Sequence, residues 1–442
     1  MAETIRSAHG AESLREALRT ATAGTTIELA GGDYGELQLS APYGDPWSRF
    51  AGEVTVRSAD PNNPATFSRM YLNGVENLTF DGIAIDYTSP AGLTGRQFFE
   101  DNAILVRDSA NITIRNSVLE GDVLDAPGSP VDGTPVARSM FIRDSEGVVV
   151  ENNEIHSWYR GALFLEDKDV VVRGNDVHDI RSDGLNFAAV QDVLIEDNYL
   201  HDFAIATDDG VHRDMIQIWT ANTDTPSTGI TIRDNHLNSG AGVWTQSIFM
   251  RNEAVDTGAA GREMFYKNVV IENNVIYNGH SHGITIGEVD GLTITNNTLL
   301  HNPASGDNGG VSRPHIRVSE DARNVHVELN IAQAVPTPPG DAAGWKVTDN
   351  LLVQNLYPER PNYYGDLFAD ALAGGGGLDA LRALPDSIIQ QGGYGSTLTR
   401  AAGDTPGGPV VSPENPPENP PEEPAPEPGN EPPPAQGPEP EP

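Results

Sequence analysis

Polar side chains open a short strand-like segment at residues 210–219, which reads GVHRDMIQIW. His212, Arg213 and Asp214 precede an apolar alternation that ends at Trp219. A histidine can take a proton near neutral pH, an arginine can grip an anion with two parallel hydrogen bonds, and an aspartate can orient the histidine. The three residues therefore have the side-chain types that an acid–base site needs.

Neighbouring segments of the same shape carry other polar residues at the start. SDGLNF places Asp183 there, TQSIFM places Gln246, and SHGITI places His282. We expect these residues to lie in one row with Asp214. The alternative interpretation is that Asp-Gly and His-Gly are turn residues whose side chains cap loop amides.

An internal repeat underlies this similarity. An asparagine recurs after each apolar alternation, at Asn153, Asn175, Asn198, Asn235, Asn274 and Asn297. The shortest steps between these residues are 22 and 23, and insertions of about fifteen residues lengthen two steps. Period-two alternation indicates strands, and the framework of a leucine-rich repeat is missing. The pattern predicts an all-β, right-handed parallel β-helix, with the asparagine column at a sharp turn where amides bond along the axis.

The strand that follows each asparagine predicts which side chains face the core. Two inward stripes are expected, at Leu163, Leu185, Ile216, Ile248, Ile284 and Ile316, and at Leu165, Phe187, Ile218, Met250, Ile286 and Val318. The outward column is predicted to contain Phe164, Asn186, Gln217, Phe249, Thr285 and Arg317.

Insertions concentrate around this strand and predict a groove. FAIATDDGV and PASGDNGGV precede two of the strands, and NTDTPS and AVDTGAAGREMF follow two others. Loops that lengthen on one face of a solenoid usually mark the binding face. Asp208 and Asp209 in the first loop are candidate calcium ligands, and equally the tip of a solvated loop.

The N-terminus is predicted to cap the first coil. Ser13 to Thr22 is typical of a short amphipathic helix with Leu14, Ala17 and Leu18 on one face, and TIELAGGDYGELQLS follows. Helix, glycine turn and strand in this order resemble the cap of the pectate-lyase-like β-helix superfamily. The resemblance covers roughly residues 4–400 and implies a β-helix domain over residues 1–402, with a cap at about 1–30, in a carbohydrate-active protein of the bacterial secreted type. The superfamily includes lyases, epimerases, hydrolases, tailspikes and adhesins, so the resemblance predicts fold rather than chemistry.

Composition limits the partners. The formal net charge is −37 and cysteine is absent, which argues against nucleic acid and excludes disulfides and thiolate metal sites. No apolar run reaches membrane-spanning length, and no signal peptide is visible at the N-terminus. Residues 403–442 alternate proline with glutamate and predict a disordered linker. We expect a secreted monomer that contacts neither membrane nor nucleic acid.

The polar row supports three functional hypotheses. The first is a lyase or C5-epimerase on an anionic, uronate-containing polysaccharide, in which His212 or His282 takes the C5 proton while Asp183 and Asp214 orient the base or bind metal. Arg213 and Arg251 would hold the carboxylate, with calcium as a possible cofactor. The remaining candidate substrate-binding residues are Gln217, Trp219, Asn186, Gln246, Arg317 and Arg143. Salt bridges between coils are the alternative role for the arginines.

The second hypothesis is a hydrolase similar to polygalacturonases. The segments at Asp183, Asp214, His282 and Arg317 follow the order of that family's NTDG, DD, GHG and RIK motifs. Here RD replaces the paired aspartate, and the Gln246 coil intervenes before the histidine. Asp183 and Asp214 would have to serve as the two carboxylates. The third hypothesis is a non-catalytic carbohydrate-binding or adhesive module.

A second histidine column lies just after the asparagines, at His156, His178 and His201. Asp179 and Asp202 follow two of these histidines. Three stacked imidazoles could bind a metal, but the favoured interpretation is a stack of rings on an outer strand.

Overall fold

The computed structural model describes residues 4–93, 95–127, 132–203, 213–240, 245–305, 313–340, 344–374 and 376–400. In these ranges the chain forms a parallel β-helix whose repeating coil adds one strand to each of three sheets. The first sheet has thirteen parallel strands, at Thr4–Ala8, Thr25–Leu29, Arg49–Ser58, Glu76–Asp81, Ala110–Arg115, Glu146–Glu151, Lys168–Arg173, Gln191–Glu196, Thr228–Arg233, Tyr266–Glu272, Val289–Thr295, Arg323–Glu328 and Lys346–Thr348.

The other two sheets have ten and twelve strands among the residues described. The ten-stranded sheet consists of Glu36–Ser40, Arg69–Asn73, Asn102–Arg107, Val136–Arg143, Trp158–Leu165, Leu185–Ala188, Asp214–Trp219, Gln246–Met250, His282–Ile286 and His315–Val318. The twelve-stranded sheet consists of Gly32–Asp33, Ala65–Phe67, Ala84–Asp86, Val118–Glu120, Glu154–His156, Asp176–His178, Tyr199–His201, His236–Asn238, Val275–Asn278, Thr298–His301, Ile331–Ala332 and Leu351–Leu352.

Helices are short and lie between strands or near the chain ends. The α-helices span Ala11–Arg19, Gln97–Glu100, Glu253–Asp256, Tyr364–Leu367 and Ile388–Gly392, and 3₁₀ turns span Ala41–Tyr43, Pro46–Ser48, Arg262–Met264 and Thr397–Thr399. The predicted N-terminal helix is confirmed, although it begins and ends earlier than expected. Its Leu14 and Leu18 are fully buried in the core. In the described ranges, no helix combines the length and the apolar composition needed to cross a membrane.

The asparagine column is confirmed and is longer than predicted. The Nδ2 group of Asn153 donates to Oδ1 of Asn175 at 3.0 Å, and the same bond repeats at 2.9 Å from coil to coil until it ends at Asn350. Each acceptor oxygen also receives the backbone N–H of the asparagine before it in the column. At this turn the residue before each asparagine has a positive φ, for example 55° at Asp197 and 58° at Asp234. The column therefore satisfies buried backbone donors at every turn.

The core consists of the inward side chains of the three sheets. The predicted inward stripes are correct except in one coil, where the register is shifted by one residue. Phe164 pairs with Phe187 and is fully buried with its ring stacked 4.9 Å from that of Phe187, whereas Leu163 pairs with Asn186 on the outer column. The alternation in RGALFLED fits both registers, and burial of the larger ring selects the observed one.

A segment after the last coils folds back onto the twelve-stranded sheet. Leu351, Tyr364, Leu381 and Ile389 form a second core with side chains that include Tyr277. The Tyr277 hydroxyl donates to the Ala371 carbonyl at 2.8 Å. These coils and the segments packed on them belong to one compact unit, Met1–Asp404. The predicted linker at 403–442 lies outside the described residues, so that division stays a prediction.

Candidate functional site

The predicted polar row exists in the ten-stranded sheet. Asp214 pairs directly with Gln246, and the register of the flanking strands puts Asp183 before Asp214 and His282 after Gln246. Neighbouring strands lie about 4.8 Å apart, so the four side chains start four successive coils. The prediction that they share one row is confirmed.

At the start of these strands two consecutive residues face the core, and this keeps the polar row on the outer side of the sheet. Met215 and Ile216 are consecutive and both belong to the core, so Asp214 and Gln217 flank them on the outside although they are three residues apart. In the strand of His282 the corresponding pair is Gly283 and Ile284. A Cβ at Gly283 would lie 2.7 Å from the Leu299 side chain, so the corner at this coil requires glycine.

The carboxylates of the row are buried, contrary to the expectation of an open groove. Asp183 is 2 % exposed and Asp214 is 0 % exposed. The Arg160 guanidinium donates to Asp183 Oδ2 at 3.0 Å, and the Asp214 backbone N–H donates to Asp183 Oδ1 at 3.1 Å. Burial raises the pKa of Asp214 well above its usual range, and the negative charge of Asp183 raises it further. Both effects favour the protonated form of the Asp214 carboxyl group.

Three other predicted site residues are also buried. Arg213 and Gln246 are each 7 % exposed, and Asn186 is fully buried on the outer column, where its Nδ2 lies 3.5 Å from Gln217 Oε1. This burial corrects the prediction that they line an accessible surface.

An aromatic and arginine cluster beside Asp183 was not predicted as part of the site. The rings of Phe99 and Tyr159 lie 4.4 Å apart, and the Arg181 guanidinium stacks over Phe99 at 5.1 Å. Arg160 stacks over Tyr159 at 5.4 Å and holds Asp183. Phe99 comes from an insertion sixty residues before Tyr159, so no local pattern indicates their contact.

The other end of the row is accessible. His282 is half-buried, and its Nδ1 lies 2.9 Å from the Thr285 hydroxyl. Its ring meets Phe249 edge-on at 5.3 Å and stacks on His280 at 5.1 Å. These contacts from three sides fix the plane of the imidazole.

A second imidazole lies beside His282 on the adjacent strand. His282 pairs with His315, and Thr285 pairs with Arg317, because the register shifts between His282 and Ile284. Arg317 is exposed, and His315 is half-buried. Burial lowers the pKa of His315, and the charges of Arg317 and Arg313 lower it further. Sequence reasoning missed His315, although the alternation of HIRV places it on the same side as Arg317.

Arg143, Trp219 and Arg251 lie at the opposite end of their strands from the polar row. Trp219 follows Asp214 by five residues, which is about 16 Å along a strand. Arg143 pairs with Asp144 at 2.8 Å and, between coils, with Glu166 at 3.6 Å, and Arg251 pairs with Asp256 at 2.7 Å. The structure thus separates Arg251 and Trp219 from the histidines, and Arg143 makes the salt bridge that was the alternative interpretation.

Three predicted residues cannot be placed. His212, Asp208 and Asp209 lie outside the described residues, as do all of residues 204–212 and 306–312. In the part of the chain that is described, no three His, Cys, Asp or Glu side chains converge as a metal site.

The second histidine column is a ring stack, as favoured. His156 and His178 stack at 5.1 Å, and His178 and His201 stack at 5.0 Å. His201 Nδ1 lies 2.7 Å from Asp202 and its Nε2 lies 2.8 Å from Asp176. Burial opposes the charged form of His178, but Asp179 and neighbouring carboxylates hold its pKa above the usual value. The column is thus a stack of rings with acidic side chains at its edges.

Comparison with known proteins agrees with this architecture. Residues 71–254 match the family model described as the right handed beta helix region. The solved structures that resemble the chain include a Dettilon tailspike protein, at 12% identity and a TM-score of 0.53, over 77% of this chain and 61% of the tailspike chain. The chain thus spans about three fifths of the tailspike's length. No curated protein matches the sequence significantly.

Two further structural neighbours have lower scores. A PL6 family alginate lyase, AlyGC, is 14% identical with a TM-score of 0.45, over 89% of this chain and 57% of the lyase. The adhesin PfbA of Streptococcus pneumoniae is 12% identical with a TM-score of 0.43, over 71% of this chain and 85% of the adhesin. Likeness at this level concerns the fold alone. The three parallel sheets and the match over residues 71–254 agree on the fold, a right-handed parallel β-helix.

Proposed function

We propose that the chain is an enzyme that acts on an anionic, uronate-containing polysaccharide and begins by removing the proton at C5. The observation that carries the proposal is the pairing of His282 with His315 on adjacent strands, with Arg317 beside them. These residues combine imidazoles, which can exchange a proton, with a guanidinium group, which can neutralise a carboxylate. Removal of the C5 proton requires both.

The C5 proton of a uronate becomes acidic only when the charge of the adjacent carboxylate is neutralised. Arg317 is exposed and can bind a carboxylate through two parallel hydrogen bonds. His315 has a lowered pKa, so its imidazole is neutral at pH 7 and able to accept a proton. His282, held by Thr285, is positioned as the partner that donates a proton or orients the sugar.

The arrangement favours a lyase over an epimerase. His282 and His315 lie on adjacent strands of one sheet, and the backbones of such strands are about 4.8 Å apart. Elimination can use acid and base groups on the same side of the sugar ring. Epimerisation needs, in addition, a proton donor on the opposite side of the sugar ring. His212 lies outside the described residues and keeps its predicted role as an alternative base.

A second candidate function rests on the pair Asp183 and Asp214. The two residues begin adjacent coils and would have to serve as the paired carboxylates of an inverting, polygalacturonase-like hydrolase. Burial raises the pKa of Asp214, which is the direction that a general acid needs, and Asp183 accepts hydrogen bonds from the Arg160 guanidinium and the Asp214 backbone N–H. Their burial is the reason for ranking hydrolysis second, since a substrate must displace the groups that cover them.

A substrate panel tests both candidates. Alginate, pectate, glycosaminoglycans and marine sulfated glycans are incubated with the full chain, and products are followed by the ultraviolet absorbance of unsaturated uronate and by new reducing ends. A lyase produces both signals together, and a hydrolase produces reducing ends without absorbance. Binding without either signal would leave an epimerase, which cleaves no bond between sugars, or the third hypothesis, a carbohydrate-binding or adhesive module.

Calcium dependence is tested in the same panel. We propose that Asp208 and Asp209 contribute ligands to a calcium ion, because carboxylates are the ligands that calcium prefers. Chelation with EDTA should then lower activity, and added calcium should restore it. Asp208→Asn should weaken the calcium response, whereas Asp290→Asn, on the thirteen-stranded sheet, should not. The predictions of a secreted, monomeric protein are tested separately by localisation and by mass measurement in solution.

A further inference from the structure

A cleft of about 580 Å³ lies on the first coils, away from the histidines. Its floor is the outer face of the strands Glu36–Ser40, Arg69–Asn73 and Asn102–Arg107, and Arg15 from the N-terminal helix lines one side. The last of these strands is six positions from the strand of His282 in the ten-stranded sheet. The separation is about 29 Å at the spacing of neighbouring strands. The volume lies within the range of ligand-binding clefts.

The cationic side chains of the cleft are neutralised internally. Arg69 donates to both oxygens of Asp101, through Nη1 to Oδ1 at 2.8 Å and through Nη2 to Oδ2. The Tyr87 hydroxyl donates to the same Asp101 at 2.6 Å. Arg15 pairs with Asp45 and donates to the Gln38 carbonyl at 2.8 Å. Neither guanidinium is therefore available as the main partner of an anionic ligand.

The remaining polar groups favour a ligand that donates hydrogen bonds. Glu36 is exposed on the outer face of the first of these strands. The Oδ1 atom of Asn102 is buried and has no hydrogen-bond partner among the described residues. Hydroxyl groups satisfy such acceptors, whereas a carboxylate or sulfate would be repelled by Glu36.

Two tyrosines supply an amphipathic surface. Tyr43 is 83 % exposed at the edge of the cleft, and Tyr71 is half-buried in its floor. A large exposed aromatic ring presents an apolar face with a polar tip, which suits the C–H face and hydroxyl groups of a pyranose. Because the chain has 12 tyrosines and most of those described are buried or half-buried, the exposure of Tyr43 is unusual within this molecule.

The helix Gln97–Glu100 separates the cleft from the polar row. The helix Gln97–Glu100 ends next to Asp101, which lines the cleft, and its Phe99 packs on Tyr159 and under Arg181 on the side of Asp183. The two surfaces are therefore separate sites on one sheet face. We propose that the cleft binds uncharged sugar units of a glycan, independently of the histidine site.

Calorimetric titration of the full chain tests this proposal, with cellohexaose, xylohexaose and mannohexaose as neutral probes and an alginate hexasaccharide as the charged probe. We expect at least one neutral hexasaccharide to bind, and Tyr43→Ala to weaken that binding at least tenfold. Tyr357→Ala removes another exposed tyrosine, 43 % exposed in the C-terminal segment, and should leave binding unchanged. His315→Ala should also leave it unchanged.

Three results would overturn the proposal. These are the absence of binding by all three neutral probes, neutral binding that Tyr43→Ala does not alter, and binding of the alginate hexasaccharide that Tyr43→Ala abolishes. Because the readout is binding of uncharged probes, failure of the polysaccharide-cleaving function would leave this result untouched. Thermal unfolding of Tyr43→Ala and Tyr357→Ala confirms that both variants remain folded.

Discussion

His282 and His315 share one register position on adjacent strands, although His282 lies three residues before Thr285 and His315 only two before Arg317. The register shift between His282 and Ile284 accounts for the extra residue, because Gly283 and Ile284 are consecutive and both face the core. Bulges of this kind commonly re-aim side chains next to functional sites. Here the bulge brings two imidazoles side by side on the outer face.

His315→Ala should lower kcat on the polysaccharide substrate by about 10²–10⁴-fold, because a neutral base is lost from the proton-transfer step. The rate is followed by the absorbance of the unsaturated product. His326→Ala, on the thirteen-stranded sheet, is the matched control and should leave the rate unchanged. Full activity in His315→Ala would remove this residue from the mechanism.

Arg317→Gln should raise KM about tenfold or more, since a charge-assisted hydrogen bond to the substrate carboxylate is lost. The same change removes a positive charge that lowers the pKa of His315, so that pKa should rise and the acid limb of the kcat/KM profile should move to higher pH. Arg323→Gln alters an exposed arginine of another sheet and serves as the control. An unmoved acid limb would show that His315 is not the titrating base.

Asn235→Ala should destabilise the fold by about 3–5 kcal/mol. Asn235 is fully buried, and its Oδ1 accepts from both the backbone N–H and the side chain of Asn198. Truncation leaves these donors unsatisfied, at about 1–3 kcal/mol each. Denaturant unfolding measures the effect. Asn350→Ala, at the less buried end of the column, should cost clearly less.

Stability should fall as pH rises through the titration of Asp167. Burial raises the pKa of this carboxyl group to about 8, against the lowering effect of the Ser145 and Leu165 N–H groups. The unfolded value is about 3.9, so the folded state retains a proton that the unfolded state has lost between these pH values. The contribution of the Asp167 carboxyl group to the free energy of unfolding is therefore full below about pH 4, declines above that pH, and is lost above about pH 8.

Asp167→Ser isolates that effect. Ser109 and Ser145 occupy the same position on the preceding coils and accept the corresponding backbone N–H. Serine does not titrate in this range, so the variant should lose the decline of unfolding free energy between pH 5 and pH 8. Chemical denaturation across this pH range provides the measurement, and an unchanged slope would assign the pH dependence to other groups.

Sequence patterns predicted most of the architecture, because a repeating coil repeats its residue types. The asparagine column and the row from Asp183 to His282 follow from spacing alone, since strands that stack in register bring equivalent positions together. The register of the coil at Leu163 and Phe164 did not follow, because RGALFLED alternates acceptably in two ways. Burial of the Phe164 ring decided between them.

Residue spacing alone indicates that this chain winds into stacked coils, and it indicates which polar residues begin the strands of the ten-stranded sheet. Whether solvent reaches those residues depends on how the coils pack, which spacing does not reveal. Asp183 and Asp214 are buried, whereas His282 is half-buried and Arg317 is exposed. The pairing of His315 with His282 also became visible only in the structure. It depends on a register shift between two strands, at a corner where Gly283 packs against Leu299. Alternation records the side of a strand on which a residue lies, but burial depends on everything that packs against that side.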